Sequence, residues 1–159
     1  MSSLTVFGLL CLAMAIQPGF ADLIGYKIVV KTGDKLAAGT GANVFISLFG
    51  SKGTTGRIPL PHHHNDSFQR GVTDEFNVTS FNVGRIHSIE IGHDNVGLFA
   101  GWFLDHVIVT QALAELDDNT EKPGCTIYRF DYNNWIAKDE GDHSLVKSIK
   151  VASTDVKPA

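Results

Sequence analysis

The sequence predicts an all-β fold, an antiparallel sandwich or barrel. Three observations carry this. Apolar residues recur with a period of two in short runs. Clusters of Gly, Pro, Asn and Asp separate those runs at regular spacing. After the first 21 residues no long helical period occurs.

The elements follow in order. Tyr26, Ile28 and Val30 alternate with Lys27 and Lys31, a strand with one wet face. Gly33, Gly39 and Gly41 mark the next loop. Val44, Ile46 and Leu48 continue the alternation, with Phe45 and Phe49 on the other face, until Gly50, Gly53 and Gly56 end it. A polar loop runs from His62 to Ser67. Thr73–Val78 and Arg85–Ile91 read as strands, and so does Trp102–Val109. Gln111–Leu116 has the composition of one helical turn, and Asp117–Gly124 that of a loop. Thr126–Phe130, Trp135–Ala137 and Leu145–Val151 complete about eight strands, a number typical of sandwiches. The segment after Ala152 is expected to fray.

The chain has 159 residues, 43% of them hydrophobic and 19% charged, with a net charge of -4. That length suits one domain. The slightly acidic balance leaves no basic footprint for nucleic acid. Two cysteines are too few for a disulfide scaffold, and the hydrophobic share is too high for a disordered chain.

Residues 1–21 contain no Asp, Glu, Lys or Arg. The apolar run from Leu4 to Ile16 is shorter than the roughly 20 residues of a membrane span. Pro18 breaks a helix, and Gly19 and Ala21 place small residues where signal cleavage needs them. The expectation is a signal peptide cut after Ala21 and a secreted product; an uncleaved anchor is the alternative. Removing 21 of the 159 residues leaves 138, lowers the hydrophobic share to about 39% and leaves Cys125 as the single cysteine. Burial suits that thiol best, because a Cys outside a disulfide behaves as a small hydrophobe. Export would also make two sequons available: Asn65-Asp66-Ser67 in a polar loop and Asn77-Val78-Thr79 within a strand. The expected organisation is a leader over 1–21, one domain over 22–152 and a flexible tail over 153–159.

Four stretches in this order carry a family resemblance. The first is Tyr26–Gly33 with Gly39–Ile46. The second is Phe68–Phe76. The third runs from Ile89-Glu90-Ile91-Gly92-His93-Asp94-Asn95 through Gly97 to Gly101-Trp102-Phe103-Leu104-Asp105. The fourth is Tyr128-Arg129-Phe130 with Asn134–Asp139. Together they resemble the PLAT domain, also called lipoxygenase-homology or LH2, in the variety of polycystins and multi-PLAT proteins. The resemblance covers nearly all of residues 23 to about 150. It implies an antiparallel β-sandwich of two four-stranded sheets, C2-like in shape. It also implies a non-catalytic module that docks proteins onto membranes or other proteins, often with calcium.

Calcium takes six to eight oxygen ligands. The resemblance places Asp94 at the family's acidic position before Trp102, and Asn95 beside it can offer a carbonyl oxygen. The family's Gly-Thr-Asp pattern is altered here, since Gly41 stands where the aspartate would be. Gly39 and Gly41 retain backbone carbonyls, and Asp34 is near in sequence. Asn65 and Asp66 occupy the loop that holds a second calcium site in C2-like relatives. The competing reading is that Asp94 and Asn95 stabilise a turn.

Leu98 and Phe99 form an apolar loop tip suited to a membrane or ligand surface, with Trp102 as a third candidate that competes with a core role. His62-His63-His64 is a solvated loop in the simpler reading. In sharper readings it scavenges zinc or copper or confers pH sensitivity. No Gly-x-Ser-x-Gly or His-Glu-x-x-His motif is present, and His87 and His106 fall in strand patterns. The sequence therefore reads as a monomeric, non-enzymatic binding module for membrane lipid or a hydrophobic ligand. The alternative is an extracellular protein-interaction or matrix component using the same loops.

Overall fold

A computed structural model describes residues 22–112 and 124–157. Residues 1–21, on which the expected leader falls, residues 113–123 and residues 158–159 lie outside the described residues. Ten strands and no helix occur among them: β1 Leu23–Thr32, β2 Val44–Gly50, β3 Gly53–Thr54, β4 Ile58–Leu60, β5 Thr73–Phe81, β6 Ile86–His93, β7 Trp102–Ala112, β8 Cys125–Ile136, β9 Val146–Lys150 and β10 Ser153–Lys157.

Two antiparallel sheets result. One has the order β10-β8-β7-β1-β5; the other has β3-β2-β6-β9, with β4 also on β2. β6 covers one edge of β2 along its length, so β3 and β4 share the other edge in succession. This sheet therefore has four ranks, one broken by a turn. The first sheet has a fifth rank because the expected tail pairs with β8 over Ser153–Lys157. Val151 and Ala152 hand the chain across, and Ala152 N donates to Arg129 O at 2.8 Å. Every β10 side chain is exposed. Its pairing is carried by backbone, so no apolar alternation announces it.

Two other expectations are corrected. Gln111 and Ala112 continue β7 rather than opening a helical turn. The two strands expected around Tyr128 and Trp135 are one strand, β8, which carries the polar stretch Asp131–Asn134 without a break.

Alternation sends Tyr26, Ile28, Val30 and Thr32 of β1 inward, and the core joins them to Ile46, Leu48, Ile89 and Ile91 of the facing sheet. Trp102 opens β7 at 0% exposure. Its indole meets Phe68 edge-on at 5.6 Å, and its Nε1 donates to Thr32 Oγ1 at 3.0 Å. It is a core residue, which removes it from the apolar loop tip. The strand starts at this position, and the pleat turns the side chain into the sandwich.

Trp102→Phe removes buried volume and leaves the Thr32 hydroxyl without its donor. It should lower the unfolding free energy by about 1–3 kcal/mol, whereas Val156→Ala on exposed β10 should change it by less than about 0.5. Equal effects in chemical denaturation would refute the central place given to Trp102.

Candidate functional site

Strand register fixes where the loops go. Thr32 lies opposite Leu104, Val44 opposite His93 and Leu60, Trp102 opposite Ile136, and Gly92 opposite Val146. The loops 33–43, 61–72, 94–101 and 137–145 therefore gather at one pole of the sandwich. All the calcium and membrane candidates named from sequence lie there except Trp102, which is buried beneath.

Hydrogen bonds tie three of these loops together. Thr40 Oγ1 donates to Ala100 O at 2.7 Å and accepts from Ala42 N at 3.1 Å. Phe103 N donates to Ala38 O, and Gly33 N to Phe103 O, both at 2.9 Å. Thr40 N donates to Phe68 O at 3.1 Å, joining loop 61–72. Gly33 is required by this closeness: a Cβ there would stand 2.4 Å from the Phe103 ring. Buried His93 fixes the remaining corner. Its Nε2 bonds Ile136 O at 2.8 Å, and its Nδ1 accepts from Asn95 N at 3.1 Å, which selects the neutral Nε2–H tautomer.

Asp94 clasps the neighbouring loop. Its Oδ1 accepts from Asn43 N at 3.0 Å and Val96 N at 3.1 Å, while Oδ2 accepts from Asn43 Nδ2 at 2.6 Å. These bonds, the Asn43 amide foremost and then the Val96 N–H, hold the carboxyl below the usual carboxylate range. Three of its roughly four acceptor positions are thus engaged. Asp34 is also engaged, by Arg70 Nε at 2.7 Å. Asn65 and Asp66 lie exposed in a turn closed by Gln69 N to Asp66 O at 3.0 Å. Gly39 packs against Gln69 and Phe68, and Gly41 faces open space.

Among the described residues no three His, Cys, Asp or Glu groups gather at metal-binding distance. The histidine run diverges. His62 bonds Ala42 O at 2.9 Å and meets Phe68 edge-on, whereas His63 lies against Phe76.

The structure adds residues that sequence reasoning missed. A cleft of about 320 Å³ opens between loops 94–101 and 137–145, lined by Asn95, Phe99, Lys138, Asp139 and Glu140 among others. Asp139 and Glu140 lie one residue, Lys138, beyond the Trp135-Ile136-Ala137 run, and that closeness was the available signal. Beside the cleft, Leu98 and Phe99 are 90% and 92% exposed. Leu36, on the facing loop, is 84% exposed, and Val96 is also exposed. Loop 94–100 holds Asn95, Gly97 and Phe99 at φ of 59°, 96° and 55°. A positive φ is uncommon for a bulky residue, so the bonded frame keeps Phe99 turned out at a cost in backbone strain. The pole thus combines oxygen donors with an uncovered apolar rim.

Comparison with known proteins places this geometry. The PLAT/LH2 domain model matches residues 26–147. The chain is 42% identical over 124 residues to human lipoxygenase homology domain-containing protein 1, covering 78% of this chain and 6% of that protein. It is 34% identical over 135 residues to human polycystin-1, covering 82% of this chain and 3% of that protein. Among solved structures it resembles coral 8R-lipoxygenase, whose calcium activation runs through a C2-like domain, at TM-score 0.62 and 26% identity over 80% of this chain and 17% of the other. A calcium-dependent 11R-lipoxygenase gives TM-score 0.60 and 28% identity over 81% and 17%. The match spans under a tenth of the two relatives' length and leaves the catalytic part of the lipoxygenases uncovered. The chain belongs to the PLAT/LH2 domain family.

Proposed function

We propose that this chain is an exported, non-catalytic module that docks on membrane lipid through the loop pole, with calcium as a bridging ion. The carrying observation is the rim of Leu36, Val96, Leu98 and Phe99, exposed on two loops beside the cleft of Asn95, Asp139 and Glu140. Isolated exposed apolar residues are ordinary, but a bonded loop that presents Leu-Phe at its tip suits insertion into an interface. The leader of residues 1–21 supports export. Asn65 and Asn77 are both exposed, which leaves either sequon open to glycan attachment.

The donor chemistry suits calcium, a hard cation that takes carboxylate, amide and carbonyl oxygens. Asn95, Asp139 and Glu140 would hold the ion, with Asp94 contributing its remaining acceptor position. Asp34, Gly39, Gly41, Asn65 and Asp66 are at the same pole, with Asp34 committed to Arg70. With a chain charge of -4, calcium would let the pole approach an anionic surface.

Three outcomes test this reading. In vesicle flotation with phosphatidylserine-containing membranes and calcium, Phe99→Asp or Leu98→Asp should reduce the bound fraction about tenfold. Unchanged flotation would remove the apolar tip from the mechanism. Stable capture of an extracellular protein, with no vesicle binding, would favour the protein-interaction alternative.

Calorimetric titration should show calcium binding in the range of about 0.1–1 mM usual for extracellular modules, weakened about tenfold by combined Asp139→Asn and Glu140→Gln. No heat at several times that concentration would exclude calcium.

Asp94 should remain ionised under mildly acidic conditions. Its folded pKa lies below the unfolded value, so its stabilising effect is present above the ordinary carboxylate range and fades only as pH falls through the depressed value. Carbon-detected NMR titration should place the Asp94 midpoint below the ordinary carboxylate range. An Asp94 midpoint within or above that range would contradict the clasp.

A further inference from the structure

At the pole opposite the four loops lies a larger cleft, about 670 Å³, between β10, the starts and ends of β8 and β7, and the loop 82–85. Its volume falls within the range of small-molecule sites. The floor is built from Asn82, Gln111, Thr126 and Tyr128, each more than nine-tenths buried. Tyr128 Oη donates to Gln111 Oε1 at 3.1 Å, and Gln111 Nε2 donates to Gly84 O at 2.9 Å. Asn82 Nδ2 donates to Asp22 Oδ2 at 2.6 Å, so that neighbouring carboxylate is already engaged. The wall is apolar and hydroxylic: Ala112 of β7 with Thr154 and Val156 of β10.

The charged residues that line this cleft are Lys52 and Arg85, both exposed. Neither takes part in the ion pairs found among the described residues. Their placement is built in. Ser51 N donates to Arg85 O at 3.0 Å, Lys52 N to Val83 O at 2.8 Å, and Arg85 N to Ser51 Oγ at 3.1 Å. Gly84 makes this contact possible, because at φ 72° a Cβ would stand 2.3 Å from Ser51 Oγ. Strand alternation points Asp155 away from the face that carries Thr154 and Val156. Two unpaired cations at the mouth and an apolar wall inside therefore coincide in an otherwise acidic chain.

We infer that this cleft binds an amphiphilic oxyanion: a carboxylate or phosphate head held by Lys52 and Arg85, with a short apolar tail against Ala112, Val156 and the Tyr128 ring. Arg presents a planar fork that suits either head, and Lys adds a mobile second charge. The site is distinct from the loop pole and needs no calcium, so its test runs in chelator and is independent of the membrane-docking reading.

The test titrates the purified chain with octanoate, octyl phosphate, octanol and inorganic phosphate, read by calorimetry and by amide NMR shifts. Octanoate or octyl phosphate should bind with shifts at Gly84, Thr126 and Thr154, and the tighter of the two identifies the head. Octanol and inorganic phosphate should each bind about tenfold more weakly. The doubly substituted K52Q/R85Q chain alters only exposed side chains and should lose about tenfold for both octyl ligands, while Val156→Asp should lower their affinity with the fold intact by NMR. Unchanged octanoate and octyl phosphate binding by K52Q/R85Q overturns the assignment. Inorganic phosphate binding as tightly as octyl phosphate, or shifts confined to loops 33–43 and 94–101, overturns it as well.

Discussion

At the base of the loops a buried indole N–H meets a buried hydroxyl, Trp102 Nε1 with Thr32 Oγ1. Both side chains are sealed from water, so either polar group alone would carry an uncompensated desolvation cost. The bond pins the end of β1 to the start of β7, at the point where the pairing register shifts between Lys31 and Thr32. Everything that hangs beyond it, from Gly33 to Asn43 and from Asp94 to Gly101, starts from that fixed corner. Phe68 packs on the same indole and carries loop 61–72 with it. The loop pole is therefore an extension of the core.

That continuity explains how loops with little regular structure remain in place. Backbone groups near the corner find partners across loop boundaries: Ala100 O with Thr40 Oγ1, Phe103 N with Ala38 O, Asn43 N with Asp94 Oδ1. His93, neutral and enclosed, completes the set from below. A frame of this kind can hold Phe99 and Asn95 at positive φ, which unsupported residues of these types rarely adopt. The exposed tip is consequently presented by a rigid base. The loop pole and the opposite cleft then differ chemically, the first offering Asp139 and Glu140 beside exposed apolar side chains and the second Lys52 and Arg85.

Sequence and structure agree where side chains report their own burial. The alternation of Tyr26, Ile28 and Val30 in β1 is visible because one face of that strand is dry. β10 was hidden because all five of its side chains are wet and its pairing is carried by backbone atoms. β8 read as two strands because Asp131, Asn133 and Asn134 are polar and exposed, and only Tyr132 among them turns to the core. At the loop pole, Leu98 and Phe99 were legible as an adjacent pair of large apolar residues, whereas Leu36 has only Lys35 and Ala37 beside it. The grouping of Asp139 and Glu140 with Asn95 depends on register between distant strands, which no local pattern encodes. Trp102 was ambiguous for the opposite reason: it sits one residue beyond a loop, and only the pleat decides its side.

The edge position of β10 has a mechanical consequence. Leu23 begins β1 and Lys157 ends β10 at the same pole, away from the loops. A load applied through the two ends of the described chain would pull them apart across the strands of their shared sheet. β10, held along one side only, would unzip from β8 starting at the Lys157–Cys125 pair, one rung at a time. β1, held on both sides by β5 and β7, would resist. Peeling β10 would carry Thr154 and Val156 out of the basic cleft and leave the loop frame untouched. Tension on the chain would thus be felt at one end of this sandwich and not at the other.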